Sequence, residues 1–228
     1  MANHLDLEEQ EQLDEIKHFW KQYGNAITWV LIVVLGSYAA WNGYQYWQRS
    51  QSEQAAALFD EVEKVARAGD ADKLGRAFGE MKDRFASTAY APQAGLLVAK
   101  TLYEAGKADD AKAALTWVAE KSKDAGYAAV GRLRLAGVLM DAKAFDEALK
   151  VLDTSFPDEF AALQADRRGD VYMAQDKKSE AKEQYLKAYK LLGDGVDYRR
   201  LVLVKLNSLG VDPVGDAAAK PAAETASK

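Results

Sequence analysis

Residues 97–115 read LVAKTLYEAGKADDAKAAL, residues 134–152 read RLAGVLMDAKAFDEALKVL, and residues 167–185 read RRGDVYMAQDKKSEAKEQY. Aligned, the three strings share a small residue in one column (Ala99, Ala136, Gly169) and, at the same distance downstream in every copy, an alanine (Ala111, Ala148, Ala181). The copies follow one another at nearly equal intervals along the chain. Breaks such as Ala105-Gly106-Lys107 and Gln175-Asp176-Lys177 separate the two small columns. Apolar residues on either side recur at helical spacing, and no run alternates as a strand does. The pattern predicts repeated helix-turn-helix units whose two helices cross closely at the small residues.

Such a unit, about 34 residues long, is a tetratricopeptide repeat, and a stack of them makes an α-solenoid. On the second helices Leu115 and Val118, Leu152, and Tyr185 and Ala188 fall on the face that packs on the neighbouring repeat. One period upstream, Val62 and Leu74 take the small-residue places with Phe78 and Met81 behind them, so residues 52–87 read as a degenerate first copy. A last helix over residues 198–209 is expected to cap the stack, because a solenoid must cover its final apolar face to stay soluble. The repeat domain is thus expected over residues 48–210, as four helix pairs plus the cap. Residues 211–228, rich in Asp, Pro, Gly, Ala and Lys, have little to bury and are expected to be disordered.

Upstream, the whole stretch from Gln22 to Gln48, between Lys21 and Arg49, lacks a charged side chain. Roughly 20 apolar residues cross a bilayer as a helix, so a transmembrane helix is expected over residues 25–47. Trp20, Tyr23 and Trp29 at one end and Trp41, Tyr44, Tyr46 and Trp47 at the other form two interfacial belts. A cleaved signal peptide is disfavoured, because the leading segment is acidic and bulky aromatics stand where small cleavage-site residues are wanted. Lys17 and Lys21 precede the span while only Arg49 follows it closely, a bias toward a cytoplasmic N-terminus comprising residues 1–24. Gly36, Ala40 and Gly43 make a small-residue stripe where another membrane helix can pack. The expected fold class is all-α: a single N-terminal transmembrane helix followed by a tetratricopeptide-like solenoid.

Most chemistry is excluded by what is missing. The 228 residues include no cysteine and two histidines, His4 and His18, both before the span, so the repeats have no imidazole base and no thiolate nucleophile or ligand. The pairs Asp109/Asp110 and Asp146/Glu147 sit where second helices begin and suit the helix dipole. No phosphate-binding glycine motif appears, and no catalytic, cofactor or metal site is expected. From Arg49 onward 28 basic and 29 acidic residues nearly balance, which argues against nucleic acid as a partner. The expected activity is therefore binding, not catalysis. Four residues past each small crossing residue stand Tyr103, Met140 and Met173, a position that faces the groove lined by first helices. Lys100, Arg132 and Arg134 offer polar contacts beside them. The alternative is that the ladder packs inside the superhelix.

Several segments together resemble the YfgM family, ancillary subunits of the bacterial SecYEG translocon. They are the acidic opening with EIKHFWKQYGN at residues 15–25, the aromatic exit YQYW at 44–47, LRLA at 133–136 followed by ALKVLD at 148–153, and KLNSL at 205–209. The resemblance spans nearly the whole chain. It implies a short cytoplasmic segment, a bacterial inner-membrane anchor and a periplasmic repeat domain. It further implies association with SecYEG and with a PpiD-like periplasmic chaperone, in the hand-over of exported polypeptides, with no catalytic residues or cofactor. Two other readings stay open: a scaffold for another envelope complex, such as cell division or outer-membrane assembly, and a regulator acting through the acidic N-terminal segment.

Overall fold

The computed structural model describes residues 7–213, and the expected tail lies outside them from residue 214 onward. Helix α1 runs from Leu7 to Ala68, followed by α2 (Ala71–Phe85), α3 (Tyr90–Glu104), α4 (Ala108–Lys121), α5 (Ala125–Asp141), α6 (Phe145–Leu152), α7 (Ala161–Ala174), α8 (Lys178–Leu191) and α9 (Tyr198–Ser208). A short 3-10 turn, Asp158–Phe160, leads into α7. Among the described residues there is no strand. The chain divides after Gln51 into two units.

In the first unit α1 is long and apolar enough to cross a membrane. Val30, Leu31, Ile32, Val33, Val34 and Leu35 are each more than half exposed, as are Trp29 and Trp41. Water does not tolerate so continuous an apolar sleeve; hydrocarbon does. Polar side chains inside the stretch bond their own helix: Thr28 donates to the Gly24 carbonyl at 2.8 Å and Asn42 to the Tyr38 carbonyl at 2.9 Å. In lipid those donors have no water to turn to.

The second unit is a stack of helix pairs, α3 with α4, α5 with α6, and α7 with α8, closed by α9; at its start the end of α1 shares a core with α2 through Val62 and Leu74. Its core follows the small and large columns of the sequence. Ala99, Ala111, Ala136, Ala148 and Ala181 are all buried, as are Leu115, Val118, Leu152, Tyr185 and Ala188. Helix α2 buries Leu74, Phe78, Met81 and Phe85, an i, i+4, i+7, i+11 stripe. The Phe78 ring meets Trp117 of α4 edge-on at 5.5 Å.

Helix ends are built alike from copy to copy. At the end of α3 the Lys107 amide bonds the Leu102 carbonyl (2.9 Å) and the Gly106 amide bonds the Tyr103 carbonyl (3.0 Å), with Gly106 at φ +76°. This is the Schellman arrangement, which stops a helix by one left-handed residue. The same pair of bonds closes α5 around Lys143 (φ 59°) and α7 around Asp176 (φ 60°), where a side chain occupies the position that favours glycine. It recurs after α9 around Gly210, whose next residue, Val211, is buried in the same core as Leu206, so that core takes in one residue past 210.

Candidate functional site: a docking groove on the first helices

Between α3 and α5 lies a cavity of about 400 Å³ lined by Ala99, Lys100, Tyr103, Leu115, Arg134 and Val138. Its floor is apolar, because Ala99 and Leu115 belong to the core. Tyr103 forms a wall at 39% exposure and donates its hydroxyl to Asp141 Oδ2 at 2.5 Å. That hydrogen bond raises the hydroxyl above its ordinary pKa, since the tyrosinate form would face the carboxylate without a proton to share. Lys100 and Arg134 are both exposed at the mouth. Arg134 Nη1 donates to the Leu96 carbonyl at 3.4 Å, and Lys100 Nζ stands 3.8 Å from Glu104.

Three of the five expected contact residues, Lys100, Tyr103 and Arg134, are therefore brought together. Met140 and Met173 are not among them. Met140 is half-buried against the larger core, and Met173 against the C-terminal core. Met173 also edges a separate cavity of about 370 Å³ with Lys178, Lys182 and Ser208. Arg132 turns away to donate to the Ser155 carbonyl at 2.7 Å, with its guanidinium over the Phe156 ring. Gly36, Ala40 and Gly43 are exposed on α1, and a Cβ placed at Gly36 or Gly43 meets nothing within 4 Å.

Asp109 and Asp110 stand in the first turn of α4, and Asp146 and Glu147 in that of α6. Lys112 donates to Glu147 at 2.9 Å across the two second helices and holds that carboxyl below its usual range. Among the described residues no three His, Asp or Glu side chains converge to hold a metal.

Sequence reasoning missed a polar cluster under the cap. Asp166 of α7, 2% exposed, accepts from Lys205 Nζ of α9 at 2.8 Å and from the Tyr198 hydroxyl at 2.6 Å. The same ammonium donates to Asp170 at 2.6 Å, and Asp170 accepts from the Tyr185 hydroxyl at 2.8 Å. Burial, and then the neighbouring carboxylates, push both tyrosine hydroxyls well above their ordinary range. A signal was present: Asp166 stands in the column that holds Leu96 and Leu133 in the earlier copies. A carboxylate at a core position needs a cation to meet it.

A helix long and apolar enough to cross a membrane, joined in one chain to a helix-pair stack, defines a membrane protein of the tetratricopeptide-like class. Residues 17–211 match the tetratricopeptide repeat-like domain family. The chain is 35% identical, over 92% of its length and all of the relative's, to the ancillary SecYEG translocon subunit of Neisseria gonorrhoeae. It is 27% identical to the protein of the same name from Haemophilus influenzae, over 89% of this chain and 98% of that one. Against the Escherichia coli K12 protein of that name identity is 27%, over 76% of this chain and 84% of that one. The chain belongs to the family of ancillary SecYEG translocon subunits.

Proposed function

We infer that this chain is a non-catalytic adaptor associated with the SecYEG translocon. Residues 25–47 anchor it in the bacterial inner membrane, residues 1–24 lie in the cytoplasm, and the repeat domain, residues 48–210, lies in the periplasm. There the groove between α3 and α5 receives a PpiD-like chaperone, and the adaptor assists the hand-over of exported polypeptides. The observation that carries this reading is the groove itself, an apolar floor with polar groups at its mouth in a domain whose matched relatives are named translocon subunits and align with it across anchor and repeats alike. Lys17 and Lys21 before the span support the orientation. A stack of helix pairs presents such a groove to a peptide segment without any chemistry of its own.

Site-specific photocrosslinking in intact cells tests it, with probes at Gly36 in the anchor and Tyr103 in the groove. Crosslinks from position 36 to translocon subunits, and from position 103 to a periplasmic chaperone or to exported chains, are expected. Products confined to division or outer-membrane assembly proteins would instead identify a scaffold of another envelope complex.

A further inference from the structure

Resting on the adaptor reading, we propose that the groove between α3 and α5 selects a segment of its protein partner in which apolar side chains are flanked by carboxylates. Of the six residues lining the cavity, two are cations, Lys100 and Arg134, and none is an acid. Two acids contact the lining residues from outside the cavity: Asp141 accepts the Tyr103 hydroxyl, and Glu104 stands 3.8 Å from Lys100. Between the cations, the Tyr103 ring and the floor of Ala99, Leu115 and Val138 offer a recess suited to an apolar side chain. An incoming segment thus meets apolar surface in the middle and two cations at the rim, Arg134 with a carbonyl as its partner and Lys100 in a long, exposed pair with Glu104 that a better-placed carboxylate can displace.

The third repeat holds the complementary case within the chain itself. One residue past the small crossing residue, the first copy has Lys100 and the third has Asp170. On the third copy α9 packs on the same side of the first helix, and its Lys205 meets Asp170 at 2.6 Å and Asp166 at 2.8 Å while Val202 and Leu206 fill the apolar space. There a helix with a cation amid apolar side chains answers an acidic column. On the first copy α5 takes the place that α9 takes on the third, and Lys100, where the third copy has Asp170, is left beside the recess with Arg134 of α5, so the segment that answers this pair is acidic amid apolar side chains.

The test uses the full chain in detergent micelles and a fluorescein-labelled peptide with a central Leu-Phe pair flanked by glutamates, read by anisotropy against the same peptide flanked by lysines. The acidic peptide is expected to bind about tenfold tighter, about 1.4 kcal/mol, from partly screened pairing with Lys100 and Arg134. Lys100→Glu combined with Arg134→Glu should reverse the preference, and Glu104→Gln, which frees Lys100, should tighten the acidic peptide. Equal affinity for the two peptides overturns charge selection while leaving the adaptor reading to the crosslinks from position 103, which do not depend on peptide charge. Undiminished binding after serine replaces the Leu-Phe pair also overturns the proposal, since it marks a general polyanion surface. So does binding of neither peptide, and silence at position 103 in cells would then remove the adaptor reading as well.

Discussion

Gly169→Ala should weaken the repeat domain although alanine is the better helix former. A Cβ built on Gly169 lies 2.4 Å from Cε1, 2.5 Å from Cδ1 and 3.0 Å from Cζ of Tyr185. That ring is 3% exposed, and its hydroxyl is held by Asp170 at 2.8 Å, so it has neither room nor freedom to swing aside. Forcing a methyl into a packed core costs about 1–3 kcal/mol, and an approach this close belongs at the upper end; alanine recovers about 1 kcal/mol of helix propensity, so a net loss of up to about 2 kcal/mol is expected. Gly137→Ala, mid-helix in α5 with nothing within 4 Å of the added Cβ, serves as the control and should gain up to about 1 kcal/mol. Other copies pair alanine with leucine at these places, Ala99 with Leu115 and Ala136 with Leu152. Gly169→Ala combined with Tyr185→Leu should therefore recover part of the loss, less the hydrogen bond to Asp170. Urea unfolding of the full chain in detergent, followed by far-UV circular dichroism, measures these variants against the parent. If Gly169→Ala proved as stabilising as Gly137→Ala, the close-approach reasoning would be refuted.

Lys205→Ala should cost about 3–5 kcal/mol, because it leaves Asp166 buried without its cation, and hydrogen exchange should show α9 released first. Tyr185 and Tyr198 hold their protons more tightly folded than unfolded. Their contribution is therefore whole below about pH 10 and is lost above it as the unfolded chain ionises first, by up to about 1.4 kcal/mol per pH unit for each tyrosine. Alkaline unfolding curves should flatten in a variant carrying Tyr185→Phe and Tyr198→Phe, and an unchanged slope would count against the assignment. Lys143→Gly should raise the unfolding midpoint, gaining up to about 1 kcal/mol by relieving a left-handed side chain at the end of α5, whereas Gly106→Ala should lower it.

Helix periodicity, the two small columns at constant separation and the uncharged stretch before Arg49 are properties of neighbouring residues, and the sequence alone determined them. From these the all-α class, the anchor and the repeated helix pairs could be read, because each depends on spacing along one helix or across one short turn. The tertiary structure alone decided how side chains from separate helices meet. It gathered Lys100, Tyr103 and Arg134 at one cavity and sent Met140 and Met173 into the packing, though all three ladder residues occupy the same column. It also explained why the third copy needs glycine rather than alanine, since the Tyr185 ring occupies the space of a methyl. Lys205 reaches Asp166 from 39 residues away, where no periodicity links them. The relative register of two packed helices is fixed by the whole core between them, and a one-dimensional pattern does not contain it.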